Sequence, residues 1–175
     1  MTISATNQGL RPGVCTSTSR PTVPFDGMVI YETDTDLVLA WNGSSWASIN
    51  QSGASNVDTS QTVTSGSYQD LATIQSVTLT TGTKALVSFG FMFTRPAPES
   101  TVYMSFAVSG ATTIAAGASG WQDARGYTYT TSDLTVSRTV LVTNLNAGSN
   151  TFTAKFARAS TNCNVYNRSF SVVAL

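Results

Sequence analysis

The chain contains no histidine. That single absence excludes Ser-His-Asp and Cys-His catalysis, and with them imidazole ligation of a metal. Charge is scarce as well. Asp, Glu, Lys and Arg make up 10% of the 175 residues, against about 25% in ordinary soluble domains. Nine cations balance nine anions, and no dense Lys/Arg run offers the basic stripe that nucleic acid requires. Nucleic acid is therefore not an expected partner. No apolar run approaches the roughly 18 residues of a membrane-crossing helix, and MTISATNQG lacks the basic start and apolar core of a secretory leader. Membrane insertion is not expected. The two cysteines, Cys15 and Cys163, are read as thiols in preference to a long-range disulfide, in keeping with synthesis in a reducing cytoplasm.

Helical periodicity is missing too, and in its place stands alternation. Val102, Met104, Phe106 and Val108 alternate with Thr101, Tyr103, Ser105 and Ala107. Leu134, Val136, Val140 and Val142 share one face, as do Phe152, Ala154 and Phe156, and Phe170 with Val172. Apolar residues on one side and hydroxyls on the other mark half-buried antiparallel strands. Residues 84–94 are apolar on both faces, which predicts a central or interface strand. The expected fold is all-β: an extended arm and small meander over 1–49, then an antiparallel, jelly-roll-like β-sandwich over 68–175. Residues 50–67 are polar and read as a linker or peripheral strand.

Within the first 49 residues, Pro12, Pro21 and Pro24 block regular structure early on. Apolar runs follow at 28–32 and 37–41, joined by Thr33-Asp34-Thr35-Asp36, and a third run at 46–49 follows Asn42-Gly43-Ser44-Ser45. Asp at a turn bonds its own backbone and Asn-Gly supplies positive φ, so the pattern predicts a meander. A meander of this size is marginal alone. Tyr31, Trp41 and Trp46 are its docking and packing candidates.

Candidate chemistry is thin. Glu32, Asp34 and Asp36 cluster, and alternate residues of a hairpin can share a side. They are weak candidates for Ca²⁺, which usually takes six to eight oxygens; an Asp-capped turn is the preferred alternative. Residues 119–130, SGWQDARGYTYT, set Trp121, Tyr127 and Tyr129 beside Asp123 and Arg125. Aromatics with a polar handle suit sugar stacking, but packing or a subunit interface is favoured. Arg168 is expected to pair with an acid near a subunit boundary. No cofactor is implied, and the few acids leave little room for glycoside cleavage.

The string RPGVCTSTSRPTVPFDGMVIYETDTDLVLAWNGSSW resembles a segment of tailed-bacteriophage virion structural proteins. It has a Thr/Ser-rich arm, an "RP", a "P-x-x-G" turn, "IYETDT" and an "NG-x-x-W" close. SFAVSGATT, LNAGSNTFTAKFA and NRSFSVVAL are similar to β-sandwich modules of the same proteins. The resemblance implies a phage particle component with capsid or tail proteins as partners. The strand pattern also resembles trimeric tumour-necrosis-factor-like jelly rolls, which implies a homotrimer. The expected function is a non-enzymatic capsid decoration or head-fibre protein, located on the virion and assembled in the host cytoplasm. The alternative is a tail-tip or tail-fibre module recognising host surface glycan.

Overall fold

A computed structural model describes residues 12–49, 51–94, 100–117, 122–128, 133–159 and 161–175. The chain divides into two compact units, Met1–Asn50 and Gln51–Leu175. Every regular element among the described residues is a strand, as the alternation predicts.

The first unit is a four-stranded sheet in the order β1-β2-β3-β4. Its strands are β1 (Gly13–Cys15), β2 (Val29–Glu32), β3 (Leu37–Trp41) and β4 (Trp46–Ser48). β2, β3 and β4 form the expected antiparallel meander. Asp36 takes the left-handed φ of 54° that the β2–β3 turn needs, and Asn42 Oδ1 accepts from Ser44 N and Ser45 N at 3.1 and 2.9 Å to fold the β3–β4 turn. β1 comes from the arm and pairs parallel with β2, so the proline-rich stretch supplies a strand as well as a tether. The core of this sheet is small: Ile30, Leu39 and, unusually, Glu32.

The second unit is a sandwich. One sheet runs β11-β8-β13-β5, with β6 also pairing β13; the other runs β10-β9-β12-β7. The strands are β5 (Ser52–Val57), β6 (Gln61–Val63), β7 (Ser76–Thr81), β8 (Ala85–Thr94), β9 (Ser100–Gly110), β10 (Ala124–Thr128), β11 (Leu134–Val142), β12 (Gly148–Arg158) and β13 (Cys163–Ala174). From β10 to β13 the chain changes sheet at every step, which is the habit of a jelly roll. β8, apolar on both faces, lies between β11 and β13 as expected for a central strand.

Residues 50–67 are not a bare linker. β5 and β6 both pair with β13. On β5 the inward Gly53 is small because the sheets close tightly there: a Cβ on it would stand 2.6 Å from Val77 Cγ1.

Six phenylalanines knit the two sheets. Phe89 on β8 and Phe170 on β13 meet Phe106 on β9, and Phe106 meets Phe152 on β12. Phe91 meets Phe156 edge-on at 6.0 Å. At the end of β12, buried Asn150 replaces apolar packing with hydrogen bonds. Its Nδ2 donates to Thr81 Oγ1 at 2.8 Å and Asn146 O at 2.9 Å, while its Oδ1 accepts from Thr112 N at 2.8 Å. One side chain thus fastens three connections, with donors and acceptor satisfied as burial demands.

β13 carries a bulge. Tyr166 opposes Met92 and Ser169 opposes Gly90, so one extra residue sits on β13. Asn167 takes φ 45° there. The bulge restores phase so that both Val165 and Phe170 point inward, and it carries Arg168 inward with them.

Candidate functional site

In the first unit the carboxylates do not converge; each holds a different donor. Glu32 is fully buried and accepts from Arg20 Nε and from Thr35 Oγ1, the latter at 2.8 Å. Asp34 accepts from Ser17 N at 2.9 Å and Ser17 Oγ at 2.6 Å, tying the arm to the hairpin. Asp36 accepts from the Tyr31 hydroxyl at 2.6 Å. No three His, Cys, Asp or Glu side chains come together among the described residues. The acidic cluster is therefore a set of turn and strand ties, not a shared cage.

These ties titrate. The Arg20 hydrogen bond holds the Glu32 carboxyl below its ordinary value, and the Ser17 hydroxyl and amide do the same for Asp34. A depressed acid contributes stability in full above its unfolded pKa, about 4, and loses it as pH falls through the folded value. The first unit should therefore open on acidification below about pH 4. The indole signals of Trp41 and Trp46 in NMR spectra would report this. Unchanged signals well below pH 3 would show that the ties contribute nothing.

Trp41 and Trp46 stand directly opposite each other across β3 and β4. Their rings meet edge-on, 5.5 Å apart at 63°, and both are half-buried. Among the described residues of this unit the most exposed large apolar side chains are others: Val23 at 90% and Phe25 at 67%. They flank Pro24 on the arm. They lie outside any periodic run, and their signal in the sequence is an isolated Val-Pro-Phe in a polar stretch.

In the sandwich the expectation for Arg168 is corrected. It is 1% exposed, and no acid pairs with it among the described residues. Its NH2 donates to Gln61 Oε1 at 2.8 Å, its NH1 reaches Thr73 O at 3.4 Å, and its guanidinium lies 5.6 Å from the Phe156 ring centre. Burial pushes its pKa down. Arg168 is thus an internal clamp on the segment between β6 and β7.

A different constellation forms where edge strands β10 and β11 face each other. A cleft of about 350 Å³ is lined by Asp123, Ala124, Arg125, Val136, Ser137 and Arg138. A second of about 300 Å³ shares Asp123 and Arg125 and adds Gly66, Tyr68, Tyr103, Gly117 and Ala157. Arg138 donates from NH1 to the Asp123 carbonyl oxygen at 2.6 Å. Arg125 stands opposite Tyr103 in the β9–β10 ladder, with its guanidinium 4.8 Å from the ring centre and 3.7 Å from Asp123 Oδ2. Burial pushes the Tyr68 hydroxyl up to about 12, so it stays protonated at physiological pH. The Tyr68 ring packs so closely that a Cβ on Gly117 would fall 2.2 Å from it.

Of the aromatics expected in this region, Tyr127 is exposed on β10 opposite Thr101, while Trp121 and Tyr129 lie outside the described residues. Cys163 is buried, with Sγ 3.5 Å from Thr161 O, and Cys15 sits half-buried on β1; neither is in a disulfide.

No protein-family profile matches this chain, and no curated protein matches it in sequence. Solved structures do match in fold. A mutant VP2 protein of infectious bursal disease virus, in derived T=1 particles, superposes with TM-score 0.51 at 12% identity, over 89% of this chain and 40% of the other. The Gx strain of the same virus gives TM-score 0.49 at 11% identity, over 89% of this chain. The chain spans about two-fifths of the length of these proteins. What it shares with the first of them is a β-sandwich fold.

Proposed function

We propose that the chain is a non-enzymatic structural protein of a virus particle, of the tailed-phage decoration or head-fibre type. The observation that carries this reading is the division of labour along the chain. A sandwich with a complete aromatic core follows a small sheet whose arm exposes Val23 and Phe25. Large apolar side chains held out on an ordered arm cost solubility unless a partner covers them. The partner in this reading is the surface of the assembled particle, and the fold shared with a viral capsid protein supports it. Labelled imaging of the protein on particles would separate head from tail. Val23→Ser with Phe25→Ser should weaken attachment about 100-fold or more, since burying each side chain is worth about 1.5–3 kcal/mol. Undiminished attachment of the double variant would overturn the role given to the arm.

The sandwich in this reading forms a homotrimer through the outer face of β11-β8-β13-β5. The outward positions of those strands carry no charged residue. At one end Leu141, Leu86 and Val173 lie side by side in register. The other sheet, in contrast, turns Arg125 and Lys155 outward. Sedimentation of the purified chain at micromolar concentration should give a trimer, and a monodisperse monomer would remove this part of the reading.

A second reading is a tail module that recognises host surface glycan. The β10–β11 cleft is the observation in its favour.

A further inference from the structure

We propose that the cleft between β10 and β11 binds an acidic sugar, with Arg125 and Arg138 taking its carboxylate. The inference deepens the glycan reading above and leaves the decoration reading untouched. In a chain with nine cations, most of those described have other employment. Arg20 pairs with Glu32, Lys155 with Asp70, Arg158 donates to Thr64 O, and Arg168 is buried. Arg125 and Arg138 come from opposite sheets to line one cleft with Asp123; Arg138 is held by the Asp123 carbonyl and Arg125 lies 3.7 Å from the Asp123 carboxylate, so two cations meet one anion there.

The geometry favours a carboxylate over a bare point charge. Arg138 is oriented by its bond to the Asp123 carbonyl, and Arg125 by its stack on Tyr103. Guanidinium groups fixed in this way present planar forks that match a carboxylate. The surroundings favour a sugar over a peptide acid. Asp123 accepts hydrogen bonds and repels anions, so its carboxylate beside two arginines suits a ligand with hydroxyl donors as well as an acidic group. The protonated Tyr68 hydroxyl adds a donor. Each of the two adjoining clefts, about 350 and 300 Å³, reaches the lower end of small-molecule sites, about 300 Å³. A disaccharide repeat carrying one uronic acid would occupy both. Tyr103 is covered by Arg125, so its ring is not a stacking platform, and recognition rests on charge and hydrogen bonds.

The test is titration of the full chain with methyl β-D-glucuronide, methyl β-D-glucoside and acetate, followed by NMR. The glucuronide should bind at least about tenfold more tightly than the glucoside, the difference expected for one charge-assisted pair. Arg125→Gln, on a largely exposed side chain that does not threaten the fold, should erase that preference, as should Arg138→Gln. Asp123→Asn should narrow the preference for glucuronide over acetate. Equal binding of glucuronide and glucoside, acetate binding as well as glucuronide, or no saturation by about 10 mM would each overturn the proposal. Host-cell adsorption by the same chain is read separately. Adsorption without glucuronide binding would remove the cleft assignment and keep the glycan reading; glucuronide binding without adsorption would do the reverse.

Discussion

Phe106→Ala is expected to destabilise the sandwich by about 3–5 kcal/mol, much of the 5–15 kcal/mol that holds a typical domain together. Phe106 is fully buried on β9 and touches aromatic rings of both sheets. Phe89 lies 5.8 Å away at 69°, Phe152 at 6.3 Å and Phe170 at 6.5 Å. Truncation removes the transfer free energy of the ring and leaves a cavity that two hydrogen-bonded sheets cannot collapse to fill. Edge-on ring contacts add about 0.5–1.5 kcal/mol each beyond area. In urea the unfolding midpoint should fall by more than 1 M, given a slope of about 1–3 kcal/mol per molar. Ile74→Ala, at an exposed position between β6 and β7, serves as the contrast and should move the midpoint little. A Phe106→Ala shift no larger than that of Ile74→Ala would mean the two sheets do not meet at this cluster.

Removing residues 1–49 should leave a cooperatively folded domain and abolish attachment to particles. Every strand of the sandwich, β5 to β13, lies within Gln51–Leu175, and so does its hydrophobic core. Among the described residues, the arm and its small sheet bury two aliphatic side chains and the Glu32 carboxylate, which pairs with a part-exposed Arg20, too little for an independent core. Circular dichroism and thermal unfolding would check the fold, and co-sedimentation with particles would check attachment. Full occupancy of particles by the truncated chain would refute the docking role.

The sandwich was legible because hydroxyl and apolar residues alternate without interruption over β9, β11 and β12. The meander was legible because Asn42-Gly43 and the Thr-Asp turn punctuate it. Residues 50–67 read as a linker or peripheral strand because the inward residues of β5, Gly53 and Ser55, are small. Smallness there answers to Val77 on the opposite sheet, a neighbour 24 residues away that no local pattern reveals. Arg168 lies inside the sandwich and not at a subunit boundary, and the pattern holds the reason. It shares parity with Phe170 and Val172, while Val165 has the other parity, and only a bulge reconciles the two. The cleft was half legible. Asp123 and Arg125 are two residues apart in sequence, but Tyr68, Tyr103 and Arg138 join them through ladder register and sheet packing, which depend on pairing rather than on composition.

The hydroxyl groups of the sandwich surface pair with one another across strands: Thr78 with Thr151 at 2.8 Å and Ser88 with Thr139 at 2.9 Å. Pairs of this kind have no counterions to shed and no field to screen. Taking the solution from about 0.01 M to 1 M salt shrinks the Debye length from about 30 Å to about 3 Å, which weakens exposed ion pairs such as Lys155–Asp70 but does nothing to a threonine–threonine contact. A sheet surface built from such pairs would keep its cohesion from fresh water to brine.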